Sequence, residues 1–105
     1  MNYFRYKHHL KIPYNIQGLI YFLCKNHKII SNKEHEQILR ACHLVCKDNV
    51  YKFNAVHDVM TSNNSLTSIS MKHFLSETSV IRLEHDFYRE YAKDIETRLQ
   101  TEKTP

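Results

Sequence analysis

Apolar residues recur at steps of three and four along most of this chain, the period of an amphipathic helix. The longest such run is 76–100, SETSVIRLEHDFYREYAKDIETRLQ, which holds neither Gly nor Pro. On a wheel of about 100° per residue, Val80, Ile81, Phe87, Tyr88, Tyr91, Ala92, Ile95 and Leu99 fall within an arc of roughly 140°. Arg82, His85, Asp86, Arg89, Glu90, Lys93, Glu96 and Thr97 take the opposite face. The spacing predicts one long helix, capped by Ser76 or Thr78, against which the other segments pack. Glu84 breaks the pattern by projecting into the apolar arc. A buried carboxylate is costly unless paired. Either a basic group from the N-terminal third meets it, or that part of the arc is not buried in the monomer.

The earlier segments read in the same way. Ile16, Leu19, Ile20 and Leu23 share a face of a first helix over 15–26, which Asn15 can cap after Pro13. Gly18 lies inside it and marks a close helix contact. Ser31 and Glu34 have capping-box spacing ahead of a second helix over 32–46, with Ile38, Leu39, Cys42, Val45 and Cys46 on one face. Asp48 or Asn49 caps a third helix running to about Met60, with a strand over Val50–Val56 as the minority reading. The polar stretch 61–65, TSNNS, is a loop, and a short helix over 66–75 follows it.

The N-terminus differs. In 3–12, YFRYKHHLKI, the residues Phe4, Tyr6, His8, Leu10 and Ile12 alternate with Tyr3, Arg5, Lys7, His9 and Lys11. Period two is the strand signature, and the competing reading is a frayed or helical arm. The expected architecture is mainly α: a small orthogonal bundle of four to five helices with a long C-terminal amphipathic helix and, at most, one short N-terminal strand. Residues 1–100 form one domain, 1–14 are its basic arm, and 101–105 a disordered tail.

Composition narrows the classes. A chain of 105 residues fits one domain. A single glycine leaves no material for phosphate-cradling loops. The apolar run 16–24 falls short of the about 20 residues that cross a bilayer, so no membrane association is expected. Three cysteines and no signal peptide point to a reducing, cytoplasmic setting.

Charge adds an asymmetry that the net +4 hides. Residues 1–33 hold six basic side chains and no acid, whereas the remainder is net acidic by two. A basic end implies an anionic partner: DNA, RNA, or an acidic protein surface. Arg5, Lys7, His8, His9 and Lys11, interleaved with Tyr3, Tyr6 and Tyr14, combine phosphate-neutralising charge with stacking rings. The segment 66–88 resembles a helix-turn-helix in general outline, with Phe74 where that turn favours glycine. Its second helix would offer Glu77, Thr78, Ser79, Arg82 and His85 to a groove, with Glu77 and Asp86 repelled by phosphates.

Two further constellations bear on chemistry. Cys24-x2-His27 with Cys42-x3-Cys46 has four ligand types for zinc, but Cys42 and Cys46 lie on an apolar helix face and no tight ligand pair is present. No nucleophile elbow, HExxH or paired-acid motif occurs, so no enzyme, cofactor or small-molecule substrate is expected. The leading expectation is a small regulatory nucleic-acid-binding protein. The alternative is a protein–protein module, such as a chaperone, antitoxin or anti-regulator, or a homodimer. It would act through an exposed aromatic helical face of Ile81, Glu84, Tyr88, Tyr91 and Leu99.

Overall fold

The computed structural model describes the backbone of residues 4–103 and side chains from Phe4 to Thr97. These residues form a mainly helical bundle: a 3₁₀ turn at His8–Leu10, then α1 (Tyr14–Lys25), α2 (Asn32–Cys46), α3 (Val50–Thr61), α4 (Leu66–His73) and α5 (Glu77–Lys103).

Local chemistry explains most boundaries. Ser31 Oγ accepts the Glu34 N–H at the head of α2, Asn49 Oδ1 accepts that of Lys52 at α3, and Ser65 Oγ that of Ser68 at α4. Ser76 Oγ accepts the Ser79 N–H at the head of α5. Each is a side-chain oxygen satisfying an amide that a helix start leaves unpaired. The first helix departs from expectation: it starts at Tyr14, and the Pro13 carbonyl, rather than Asn15, receives the amides of Ile16 and Gln17. Pro13 sets the entry because its ring holds φ at −53°. The minority strand reading of Val50–Val56 falls, since that segment is α3.

With so little glycine, turns are made from L-residues. Lys11, Lys47 and Phe74 take φ of 57°, 54° and 56°, where a side chain costs roughly 1–2 kcal/mol. Phe74 ends α4 in the left-handed region, and the Leu75 N–H returns to the Ser70 carbonyl at 3.1 Å. This is the turn position that favours glycine in the sequence reading.

α5 is the central element. It packs against α1, α2, α3 and α4, while α3 also touches α1, α2 and α4. Val80, Leu83, Phe87, Tyr88, Tyr91, Ala92 and Ile95 are buried along it. All of these but Val80 meet Ile16, Ile20, Leu23 and Cys24 of α1, Ile38, Ala41, Cys42 and Cys46 of α2, and Ala55, Val56 and Met60 of α3 in one core cluster. The helix continues to Lys103, three residues past the Gln100 boundary.

The N-terminal arm is not a strand. Among the described residues there is no β-structure, and His8–Leu10 form a single 3₁₀ turn. The reason is Gln17, a fully buried polar side chain on α1. Its Oε1 accepts the Lys7 N–H at 2.9 Å, and its Nε2 donates to the carbonyls of Lys7 and Ile12 at 3.0 Å each. A side-chain amide thus supplies the backbone bonds that a neighbouring strand would have supplied. The alternation survives in part: Leu10 and Ile12 are buried, Phe4 and Tyr6 half-buried, and Arg5, His9 and Lys11 exposed. His8 is exposed and Lys7 half-buried, the reverse of their expected sides.

Gly18 is likewise not a close helix contact. A Cβ there would lie 3.8 Å from Phe4 Cε2, ordinary van der Waals distance.

Candidate nucleic-acid interface

The arm lies across α5 and α1, and Lys7 is its anchor. Lys7 Nζ stands 3.6 Å from Glu84 Oε1, with the two side chains 17% and 27% exposed. The ammonium also lies 4.7 Å from the ring centre of Tyr88. This resolves the carboxylate that interrupts the apolar arc: a base from the N-terminal third meets it. Two residues further on, His9 Nε2 approaches His85 Nδ1 at 3.3 Å. Burial, then His9, Lys7 and Arg89, hold the His85 pKa below its ordinary value, against the pull of Asp86. The imidazole therefore sits in a predominantly cationic neighbourhood.

These contacts join two stretches that are far apart in sequence. Arg5, His8, His9 and Lys11 of the arm stand on the surface, as do Thr78 and Arg82 of α5. Ser79 is partly covered and hydrogen-bonded to Ser76. Lys7 is only half available, since Glu84 holds it. An acid accompanies the cations at the head of α5: Glu77 is exposed, and its Oε2 takes a bond from Thr67 Oγ1 at 3.4 Å.

A cleft of about 370 Å³ opens beside the arm. Arg5, Lys7, Lys25, Glu84, Tyr21 and Tyr88 contribute to its walls, so three cations face one carboxylate. Lys25 has structural work as well. Its ammonium donates to the carbonyls of Val59 and Ser62 at the end of α3, where the helix leaves acceptors unpaired and cations are favoured. The groove between α2 and α5 differs: Arg89 and Lys93 are outnumbered there by Asp86, Glu90 and Glu96, so it does not favour an anion.

The expected partner-facing residues are mostly elsewhere. Tyr88 and Tyr91 are fully buried in the protein's own core, so no aromatic face of α5 is presented by them. Burial, followed by Glu84, pushes the Tyr88 phenol upward. Ile81 is 38% exposed at the rim of the cleft, and Glu84 is paired with Lys7. The side chain of Leu99 lies outside the described residues.

The cysteine–histidine constellation does not assemble. Cys24, Cys42 and Cys46 are buried free thiols. Burial is the main cause that pushes Cys42 up to about 12 and Cys46 up to about 11, and it raises Cys24 further. His27 instead turns to His35 and His57, with ring centres 6.3 and 6.1 Å away. Among the described residues no group of three or more His, Cys, Asp or Glu side chains is placed to hold a metal.

Sequence reasoning missed Gln17 and Lys25 as parts of this surface, while His85 was expected on the groove-facing side of its helix but without His9 as its neighbour. Gln17 had a signal: it shares a helical stripe with Ile20 and Cys24, where a polar residue needs partners. Lys25 had none, because its partners come from the end of α3. No helix among the described residues is long and apolar enough to cross a membrane. No protein-family model, curated protein or solved structure matches this chain.

Proposed function

We propose that this protein is a small cytoplasmic regulator that binds nucleic acid through the surface shared by its N-terminal arm and the first half of α5. The observation that supports the reading is the docking of arm on helix through Lys7–Glu84 and His9–His85. It brings His9 against His85 and gathers Arg5, Lys7 and Lys25 around one cleft with Ile81 and Glu84 of α5. Cations gathered on one face neutralise phosphates together and release their counterions on binding.

The test is affinity against salt for single- and double-stranded oligonucleotides. Reversing Arg5 and Lys11 together to Glu should abolish binding at moderate salt, and each lost phosphate contact should lower the log–log salt slope by about 1. Lys33→Glu, on the exposed head of α2, should act as wild type. Absence of binding to any oligonucleotide at low salt refutes the reading.

A second reading, a module that binds another protein or a second copy of itself, is supported by the exposed side chains of Met71 and Phe74 at the end of α4. Concentration-dependent self-association that Phe74→Ser removes would favour it.

A further inference from the structure

We infer that the preferred ligand of this surface is a single-stranded nucleic acid, with bases stacked on an aromatic ladder along α1 and phosphates held by the adjoining cationic cleft. The inference rests on the nucleic-acid reading above and specifies its substrate class.

The ladder is continuous. The His8 ring stands 4.5 Å from that of Tyr6, Tyr6 lies 5.7 Å from Tyr14, Tyr14 5.5 Å from Phe4, and Phe4 5.6 Å from Tyr21. It ends on a cation, since Lys25 Nζ lies 5.6 Å from the Tyr21 ring centre. Helical spacing produces this line: Tyr14, Gly18, Tyr21 and Lys25 fall on one stripe of α1, and the Phe4 ring lies beside Gly18 between the two tyrosines.

Most of these rings serve the fold by seating the arm. Tyr14 does not serve it fully. It is 65% exposed, although it stands at the centre of the ladder. An exposed aromatic side chain, joined through Phe4 to Tyr21 in the wall of a cationic cleft, is what sequence-tolerant binding of unpaired bases uses.

Charge and shape both favour a strand over a duplex. The cleft holds a surplus of cation over carboxylate, which suits a phosphate chain and gives nothing to an apolar peptide. A duplex hides its base faces within its own stack and would leave the ladder unused. The major groove, about 12 Å wide, admits a bare helix. Here α5 is widened at residues 84–88 by the arm lying against it.

The experiment is fluorescence anisotropy of the full chain with labelled oligothymidylate and oligouridylate of about ten nucleotides, beside a blunt duplex of equal length and inorganic polyphosphate as competitor. The single strand should bind tighter than the duplex. Tyr14→Ala should weaken it about fivefold or more with the salt slope unchanged, and Tyr14→Leu, which keeps bulk without a π-face, should do the same. Tyr51→Ala, an exposed tyrosine on α3, should bind as wild type. Binding of either oligonucleotide more tightly than the duplex supports the inference. It is overturned if both Tyr14 variants bind as wild type, if the duplex binds more tightly, or if polyphosphate competes as well per charge. Duplex binding that responds to Arg5 and Lys11 but not to Tyr14 overturns this inference and leaves the nucleic-acid reading standing. Failure of every oligonucleotide overturns both.

Discussion

Replacing Phe74 by Gly should stabilise the protein, against the usual rule that removing a large apolar side chain destabilises. Phe74 sits at φ 56°, ψ 38° as the residue that ends α4, and its side chain is 91% exposed. Holding an L-residue there costs roughly 1–2 kcal/mol, which glycine does not incur. Against this, glycine adds about 0.5–1 kcal/mol of backbone entropy to the unfolded chain. The ring itself contributes little. Full burial of a phenylalanine is worth about 1.5–3 kcal/mol, and nine-tenths exposure leaves roughly 0.2 of that. The net gain is about 0.5–1 kcal/mol, which for a domain of this size raises Tm by roughly 2–8 °C. Circular dichroism melts and urea midpoints measure it directly. Phe74→Ala separates the causes, since it removes the ring and keeps the Cβ in the strained region. It should lie within about 0.5 kcal/mol of wild type. A lower Tm for Phe74→Gly, or an equal rise for Ala and Gly, refutes the argument that backbone strain is what glycine relieves.

Three further outcomes follow from the packing. Gly18→Ala should stabilise α1 by about 1 kcal/mol, because the new Cβ meets only ordinary contact at 3.8 Å from Phe4; a lower urea midpoint would show that the arm cannot accommodate it. Glu84→Gln removes the partner of a mostly covered Lys7 and should cost about 1–2 kcal/mol, between exposed and buried pairs; a double-mutant cycle with Lys7→Gln measures the coupling, and a value near zero refutes the pair as the arm's anchor. Stability should decline as pH falls below about 6.5. Burial, then His27 and His35, hold the His57 pKa below its ordinary value, and His85 is likewise depressed. A depressed histidine binds fewer protons folded than unfolded, so its contribution is full above the unfolded pKa and is lost below it. Urea midpoints at successive pH should show the decline, and His57→Gln should flatten it. An unchanged slope in that variant would remove His57 as its source.

The elements that were legible in sequence are those set by local interactions. Ser31, Asn49, Ser65 and Ser76 are within three residues of the amides they cap, so a sequence window contains both partners. The faces of α5 follow from a period of 3.6, and Val80, Phe87, Tyr91 and Ile95 are buried as that period requires. Phe74 stands where a helix-turn-helix turn favours glycine, but its positive φ is a property of the folded backbone.

What the period could not assign was the extent of burial. It put Ile81, Tyr88 and Tyr91 on one arc, yet how far the arc is covered depends on the neighbours. The arm packs over Tyr88, and Ile81 is left at the rim of a cleft.

The arm itself marks the limit of the sequence. Its alternation is real, but alternation specifies a strand only if another backbone pairs with it. By itself the sequence determined the helices, the caps of α2, α3 and α5, a basic N-terminal third and a carboxylate in need of a cation. Only the tertiary structure decided that the carboxylate receives Lys7, that Gln17 stands in for the missing strand, and that Phe4 and Tyr6 meet Tyr14 and Tyr21. The physical reason is that these are bonds between segments brought together by burial of the core, and no local window holds both partners.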